Sequence, residues 1–360
     1  MIDALTNVDG SMPRTLLRFG LLLVLTAVAP GAWAQAPLPA APPTAPPADR
    51  APAPAAAAPG TPGPLYAAPT REDRSGRIHA AVYINGQGPY RFIVDTGANS
   101  SALAPGIAEQ LALPPAPVMV EVHGVTGTEM LPAVEVQSLR AGDIVLPPAA
   151  LPVLTGDIFD HADGILGVAG IQQMRMDVDF VRDRVEIAPS AGRRAPPGYL
   201  TVPASLWQGG LLLVNGRVGS VPTKVIIDTG AERTIGNLQL RAALIEGSSR
   251  GEEAGTTVIG ATSDVGEGTY FTVPKIWIGP ARLIDLPVTF GDLHVFELWG
   301  LTAEPALVVG MDVLGRLERF VVDYRRQEFQ MKAKGQHGVG IRRCTPSTCA
   351  SRIPEKERDF

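Results

Sequence analysis

Two copies of one tripeptide carry the acids best placed to do chemistry. Asp95-Thr96-Gly97 and Asp228-Thr229-Gly230 each close an apolar run, Phe92-Ile93-Val94 in one case and Val225-Ile226-Ile227 in the other. Each is followed by an alanine, Ala98 or Ala231. A carboxyl released from a buried strand straight into a turn is a costly place for a charge. Glycine permits the tight turn and a close backbone approach, and the threonine hydroxyl is available to bond across to a facing loop. Two such loops set opposite each other bring two carboxyls to about 3 Å, where they share one proton because both cannot ionise. The ionised member is then a general base for a water held between them. The protonated member donates to a substrate carbonyl as its oxygen becomes negative. Such chemistry uses no metal and no cofactor and leaves no covalent adduct on the chain.

The elements that must position these acids form a tandem repeat running from about residue 74 to 334. The aspartates lie 133 positions apart, and the same offset aligns Gly86 with Gly219, Pro89 with Pro222 and Arg91 with Lys224. Later landmarks keep their order while insertions change the offset. Val122-His123-Gly124-Val125-Thr126 matches Val258-Ile259-Gly260-Ala261-Thr262. Leu151-Pro152-Val153 matches Leu286-Pro287-Val288, Ile165-Leu166-Gly167 matches Val308-Val309-Gly310, and Val178-Asp179-Phe180 matches Val322-Asp323-Tyr324. Each repeat opens with two apolar runs around a glycine-rich turn, a hairpin pattern. Gly 39 and Pro 34 against 19% charged residues fit many turns and short strands. The chain therefore reads as all-β, in two lobes over 74–190 and 198–334 with a boundary at the 191–198 loop. The few helical candidates are 105–111, 168–174, 238–244 and 311–317.

On these motifs the chain resembles the aspartic peptidases of the retropepsin-like class, with two lobes joined in one polypeptide. The resemblance rests on Asp95-Thr96-Gly97-Ala98 and Asp228-Thr229-Gly230-Ala231, and on a second motif of two apolar residues and a glycine, matched by Ile165-Leu166-Gly167 and Val308-Val309-Gly310. It covers both repeats and implies two homologous acid-protease barrels with a cleft between them. It implies an aspartic endopeptidase with Asp95 and Asp228 as the dyad. Thr96, Gly97, Ala98, Thr229, Gly230 and Ala231 would support the two loops. The segments of His123, Gly124 and Val125 and of Ile259, Gly260 and Ala261 would form two flaps over an extended peptide or protein substrate. Neither flap carries tyrosine, which favours a pseudo-symmetric retropepsin-like site over a pepsin-like one. Such a chain is expected to act as a monomer with internal two-fold pseudosymmetry, since the covalent link favours internal pairing.

The ends read differently. Arg14 and Arg18, the apolar stretch Phe19–Ala29 and Ala32-Trp33-Ala34 have the layout of a secretory signal over 1–34. The apolar stretch is shorter than the roughly 20 residues of a membrane span. Export to the periplasm or outside the cell is the expectation, with an N-terminal tether if the signal stays uncleaved. In residues 36–70, 12 of 35 positions are proline, so 35–73 reads as an extended linker. The tail, 335–360, holds both cysteines, Cys344 and Cys349, spaced for a local staple. A net charge of −5 without a long basic block indicates no nucleic-acid partner.

Plainer readings apply elsewhere. Asp157, Asp160, His161 and Asp163, with Asp292 and His294 in the repeat, lack metal-site spacing and read as solvated loop. Asp179 and Asp323 read as structural, and Trp207, Trp277 and Trp299 as core or cleft wall. A non-enzymatic alternative is a bilobal module that holds a peptide without cutting it. The alanines after the triplets add a prediction. A hydroxyl there would donate to the carboxylate and favour its charged form, and alanine cannot. Replacing Ala98 and Ala231 together with serine is expected to move the acid limb of the pH–rate profile to lower pH; an unmoved limb would refute the argument.

Overall fold

The computed structural model describes residues 76–142, 144–155, 158–169, 171, 173–246 and 253–333, with short strands also at Leu16–Arg18, Val24–Thr26, Leu65–Ala68 and Ile341–Arg343. The rest of the leader and linker, Asp157, Cys344 and Cys349 lie outside the described residues.

Lobe 1 begins with the expected hairpin, His79–Ile84 against Gln87–Val94. Its turn is Asn85-Gly86, both at positive φ (50° and 79°), the conformation that suits an Asn-Gly pair joining twisted strands. Lobe 2 repeats it with Leu211–Val218 against Val221–Ile227. In each hairpin the second strand ends in three fully buried apolar residues, because a further strand lies on it in parallel. Gly164–Leu166 pairs with Phe92–Val94, and Ala306–Val309 with Lys224–Ile227. A two-residue strand then closes antiparallel on each, Ala102–Leu103 in lobe 1 and Ile235–Gly236 in lobe 2.

The repeat seen in the sequence is thus a repeat of hydrogen bonds. Asp95 N–H donates to the Leu166 carbonyl and Asp228 N–H to that of Val309, both at 3.0 Å. Val168 N–H reaches Ala98 and Met311 N–H reaches Ala231, both at 2.8 Å. Gly167 and Gly310 sit where a β-carbon would lie 2.4 Å from the Ser100 carbonyl oxygen or 2.7 Å from that of Arg233. The second motif is glycine because its backbone presses on the aspartate loop. The strand content includes a closed six-stranded barrel and a half-barrel, the two-lobed architecture expected.

The lobes are joined by an antiparallel seam, Met174–Asp179 against Leu317–Asp323. Equivalent residues of the two repeats, Asp177 and Val321, face each other across it, so the pseudo-two-fold axis passes between them. Asp177 accepts from Arg175 (2.9 Å) and from its repeat partner Arg319 (2.5 and 2.6 Å), one carboxylate serving two related arginines. The main hydrophobic cluster runs through both lobes, including Val94, Leu166 and Met176 with Ile227, Val309 and Phe320.

Helices form at Pro105–Gln110, Leu238–Glu246 and Met311–Leu314, with an unforeseen fourth at His294–Leu298. The described residues of 168–174 form no helix: Ile171 N–H donates to the Val168 carbonyl (2.9 Å), Met174 N–H donates to that of Ile171 (2.8 Å), and Met174 already belongs to the seam. The helix after Gly310 stops at Leu314 for the same reason, since Leu317 starts the other side of the seam. Pairing with the second lobe overrides local helix propensity in both places. Leu65–Ala68, within the stretch read as linker, lies between Val185–Ile187 and His79–Ala80 and extends the lobe 1 sheet.

Candidate active site

The two triplets meet. Thr96 Oγ1 donates to the Ile227 carbonyl (2.9 Å) and accepts from Thr229 N–H (3.0 Å). Thr229 Oγ1 donates to the Val94 carbonyl (2.7 Å) and accepts from Thr96 N–H (3.1 Å). Each hydroxyl uses its donor and an acceptor on the opposite loop, so four bonds in a fully buried space fix the loops to each other. A net bond is worth about 1 kcal/mol, but each orphaned buried partner costs about 1–3 kcal/mol. The opposite loop also sets the position of Asp95. A β-carbon on Gly230 would lie 2.2 Å from the Asp95 carboxyl, so that glycine makes room for the facing acid.

Asp95 and Asp228 are buried, at 0% and 1% exposure. Asp95 Oδ1 accepts from Gly97 N–H at 2.8 Å. Asp228 Oδ1 accepts from Gly230 N–H at 2.8 Å and from Ala231 N–H at 3.2 Å. The second oxygens, Asp95 Oδ2 and Asp228 Oδ2, are buried and receive no donor from the rest of the described protein, and the two carboxyls are close enough for a proton on one to bond the other. Burial pushes both acids above the ordinary carboxylate range. For Asp95 the facing charge of Asp228 adds to burial, and only one backbone donor and the more distant Arg77 oppose it. For Asp228 the backbone donors of its own loop pull back against burial. The surroundings therefore favour the proton on Asp95 and the charge on Asp228.

Support comes from residues the motifs did not reveal. Arg77, 1% exposed, donates to the Ile158 carbonyl (2.7 Å) and lies 3.6 Å from Glu232 of the other lobe, with its charge near enough to act weakly on Asp95. Tyr324 is buried with its hydroxyl unpartnered, and burial together with the charges of both aspartates holds that hydroxyl neutral. Thr234 donates to Asp312 (2.8 Å), whose carboxyl is raised by burial. Ser101 and Thr234, 133 residues apart, each hold the second-motif glycine N–H at 3.3 Å, and the repeat offset alone would have found them. Arg77 and Tyr324 carried no such signal, since their repeat counterparts are Gly210 and Phe180.

The segments read as flaps cross each other beside the alanines that follow the triplets. Hairpins Pro115–His123/Thr128–Val136 and Ala254–Ile259/Val265–Ile278 turn at Gly124 and Gly260. A β-carbon on Gly124 would lie 3.3 Å from Ala261 N, and one on Gly260 would lie 2.6 Å from Val125 Cγ1. Val125 joins a lobe 2 cluster with Leu211, Ile226 and Ala231, while Ala261 joins a lobe 1 cluster with Ile93, Ala98 and Ile165. Each tip thus packs on the opposite lobe. Gly124, Val125, Gly260 and Ala261 form this crossing, with His123 and Ile259 just before it in each strand, and Ile165–Gly167 and Val308–Gly310 pair with the strands that end at the triplets. Trp299 is buried, and Trp207 is partly exposed with its indole N–H on the Trp299 carbonyl (3.1 Å). Asp163 accepts from Arg91 N–H (2.7 Å), which makes it a loop brace. Asp179 and Asp323 accept backbone N–H groups of the turns that follow them. Among the described residues no group of three or more histidine, cysteine or acidic side chains gathers as for a metal.

An aspartyl protease family profile matches residues 80–169 and 214–313, one stretch in each lobe and together more than half of the chain. The chain belongs to this aspartyl protease family. No curated protein matches it in a sequence comparison.

The electrostatics make a prediction about stability. Unfolded aspartate titrates near 3.9, and the folded pair titrates higher, so the native state binds more protons than the unfolded chain and loses stability as pH rises through that interval. Asp95→Asn removes this cost. It is expected to raise the melting temperature by several degrees at pH 7.5 and to leave it nearly unchanged at pH 3, where both states of the wild type are protonated. An equal effect at both pH values would contradict the assignment.

Proposed function

We propose that this protein is an exported aspartic endopeptidase that hydrolyses peptide bonds with a water activated by Asp95 and Asp228. The observation that carries the reading is the pair of facing, buried carboxyls held by reciprocal threonine bonds, each with one oxygen that takes no donor from the rest of the protein. Asp228, with two backbone donors, is the ionised base, and Asp95 is the acid. Asp228 takes a proton from the water, whose oxygen attacks the carbonyl carbon, while Asp95 gives its proton to the carbonyl oxygen. When the tetrahedral diol collapses, the C–N bond breaks and the proton on Asp228 passes to the leaving nitrogen. A diol hydroxyl returns a proton to Asp95. Water between two fixed groups needs little reorganisation, which is where such a site gains rate.

The flaps support an extended substrate bound as an added strand. Their first strands accept added strands from the chain's own N-terminal segment. Leu16–Arg18 runs parallel to Thr257–Ile259, and Val24–Thr26 runs antiparallel to Glu121–His123. One extended chain crossing two elements related by a two-fold axis must run with one and against the other. The basic, apolar and small-residue order of 1–34 supports export to the periplasm or beyond, and among the described residues no helix is long and apolar enough to cross a membrane.

The test is a peptide-library digest at several pH values by purified protein from Thr70 onward, comparing wild type with Asp95→Asn and Asp228→Asn and using pepstatin as a probe of the site. The expected result is cleavage by wild type and a loss of at least about a thousandfold in each variant. Binding of extended peptides without cleavage would favour the silent peptide-holding module, and full activity in either variant would refute the dyad.

A further inference from the structure

The first flap is tied to the opposite lobe by a contact that its tip packing does not require. His123, which ends the first strand of that flap, stacks on His294 of lobe 2 with ring centroids 5.8 Å apart and planes within 19°. Thr128, which begins the return strand, lies between them. Its Oγ1 is 2.9 Å from His123 Nδ1 and 2.9 Å from His294 Nε2. The outward nitrogens face carboxylates, His123 Nε2 at 3.5 Å from Glu121 and His294 Nδ1 at 3.9 Å from Glu297. His294 opens the helix His294–Leu298, whose next N–H, on Val295, points at the Val125 carbonyl of the flap tip (3.4 Å). The second flap has isoleucine (Ile259) where the first has His123, so the tie is one-sided.

The chemistry of this contact is directional. A hydroxyl has one proton and two lone pairs, and a neutral imidazole has one donor and one acceptor nitrogen. With Glu121 drawing the His123 proton to Nε2, His123 Nδ1 accepts from Thr128. Thr128 in turn accepts from His294 Nε2–H. The run His294 to Thr128 to His123 to Glu121 is then consistent in donors and acceptors at each step.

We propose that His294 is a positioning residue that holds the first flap closed through Thr128 and His123, and that this hold weakens when both imidazoles carry a proton. A proton on His123 alone is tolerated, because Thr128 then accepts from both rings and Glu121 offsets the charge. A proton on both rings stacks two cations whose side chains are only 13% and 26% exposed. The carboxylate that would offset the second, Glu297, is 80% exposed and screened by water. Two further acids nearby are engaged with the second flap. Glu129 accepts from Ser263 N–H (2.8 Å), and the Asp264 carboxyl fills the space beside Gly127. Repulsion between the rings therefore wins on the acid side, where imidazoles charge.

That closing the flap matters for cleavage rests on the peptidase reading; the latch itself does not. The test is accordingly made on Asp95→Asn protein with no substrate present. Backbone hydrogen exchange is followed in residues 115–136 at pH 7.5 and pH 5 and corrected for intrinsic exchange rates, with residues 254–271 as the internal comparison. The expected result is a fall in protection of at least about tenfold in the first flap at pH 5, little change in the second, low protection at both pH values in Thr128→Val, and wild-type behaviour in Thr128→Ser. Protection that ignores pH in the parent protein, or that survives Thr128→Val, overturns the proposal. In active protein the same Thr128→Val change is expected to raise KM more than it lowers kcat and to flatten the pH dependence of KM; an unaltered pH profile of KM also overturns it.

Discussion

The exchange of hydrogen bonds between Thr96 and Thr229 is the constraint on which the rest depends. Each threonine closes its bonds on the other loop's backbone, and neither loop can satisfy its own buried groups alone. The lobes must therefore dock in one orientation. The sheet seam below has the same axis, through Asp177 and Val321, and the crossed flap tips above repeat the exchange with Val125 and Ala261. Seam, loops and tips are three levels of one pseudo-two-fold arrangement. At its centre the carboxyls are buried together because the loops that carry them have no other position.

Symmetry brings the acids together, and departures from it make them unequal. Asp228 takes two backbone donors from its loop, Asp95 one. Arg77 approaches from lobe 1 and meets Glu232 of lobe 2, whereas the matching position in the other half is a glycine, Gly210. Tyr324 puts a hydroxyl within the field of both acids where the other repeat has Phe180. Two carboxyls that share a proton need unlike surroundings, and here the difference arises from the unequal donors of the two loops together with Arg77 and Tyr324, which lie outside the repeated motifs. The histidine contact on the first flap is of the same kind, one side of a paired structure altered while the other keeps an apolar residue.

Much of this was legible in the sequence because the repeat supplies its own alignment. The 133-residue offset located both hairpins and both triplets, and the later landmarks located the second-motif glycines and the flap turns. It was legible for a physical reason, since glycine at 167 and 310 and threonine at 96 and 229 are dictated by backbone contacts that any copy of the arrangement must reproduce. Helices were less legible. The stretch after Gly167 has helical composition, but Met174 is claimed by a strand pairing with residues about 150 positions away, and no local pattern records that. The contacts among His123, Thr128 and His294 were invisible for the same reason, as 166 residues separate the hydroxyl from its second imidazole. The seam, Arg77 and Tyr324 likewise belong to long-range packing rather than to spacing.

The central claim is that one buried proton is shared by two carboxyls. Carbon-13 NMR of the aspartate carboxyls reads it directly, with Asp95→Asn and Asp228→Asn used to assign the two signals. As pH rises, the account predicts that one carboxyl ionises first, already above the ordinary carboxylate interval, while the other stays in the protonated range to higher pH. Two signals that both titrate below about pH 4.5, as free aspartates do, would contradict it.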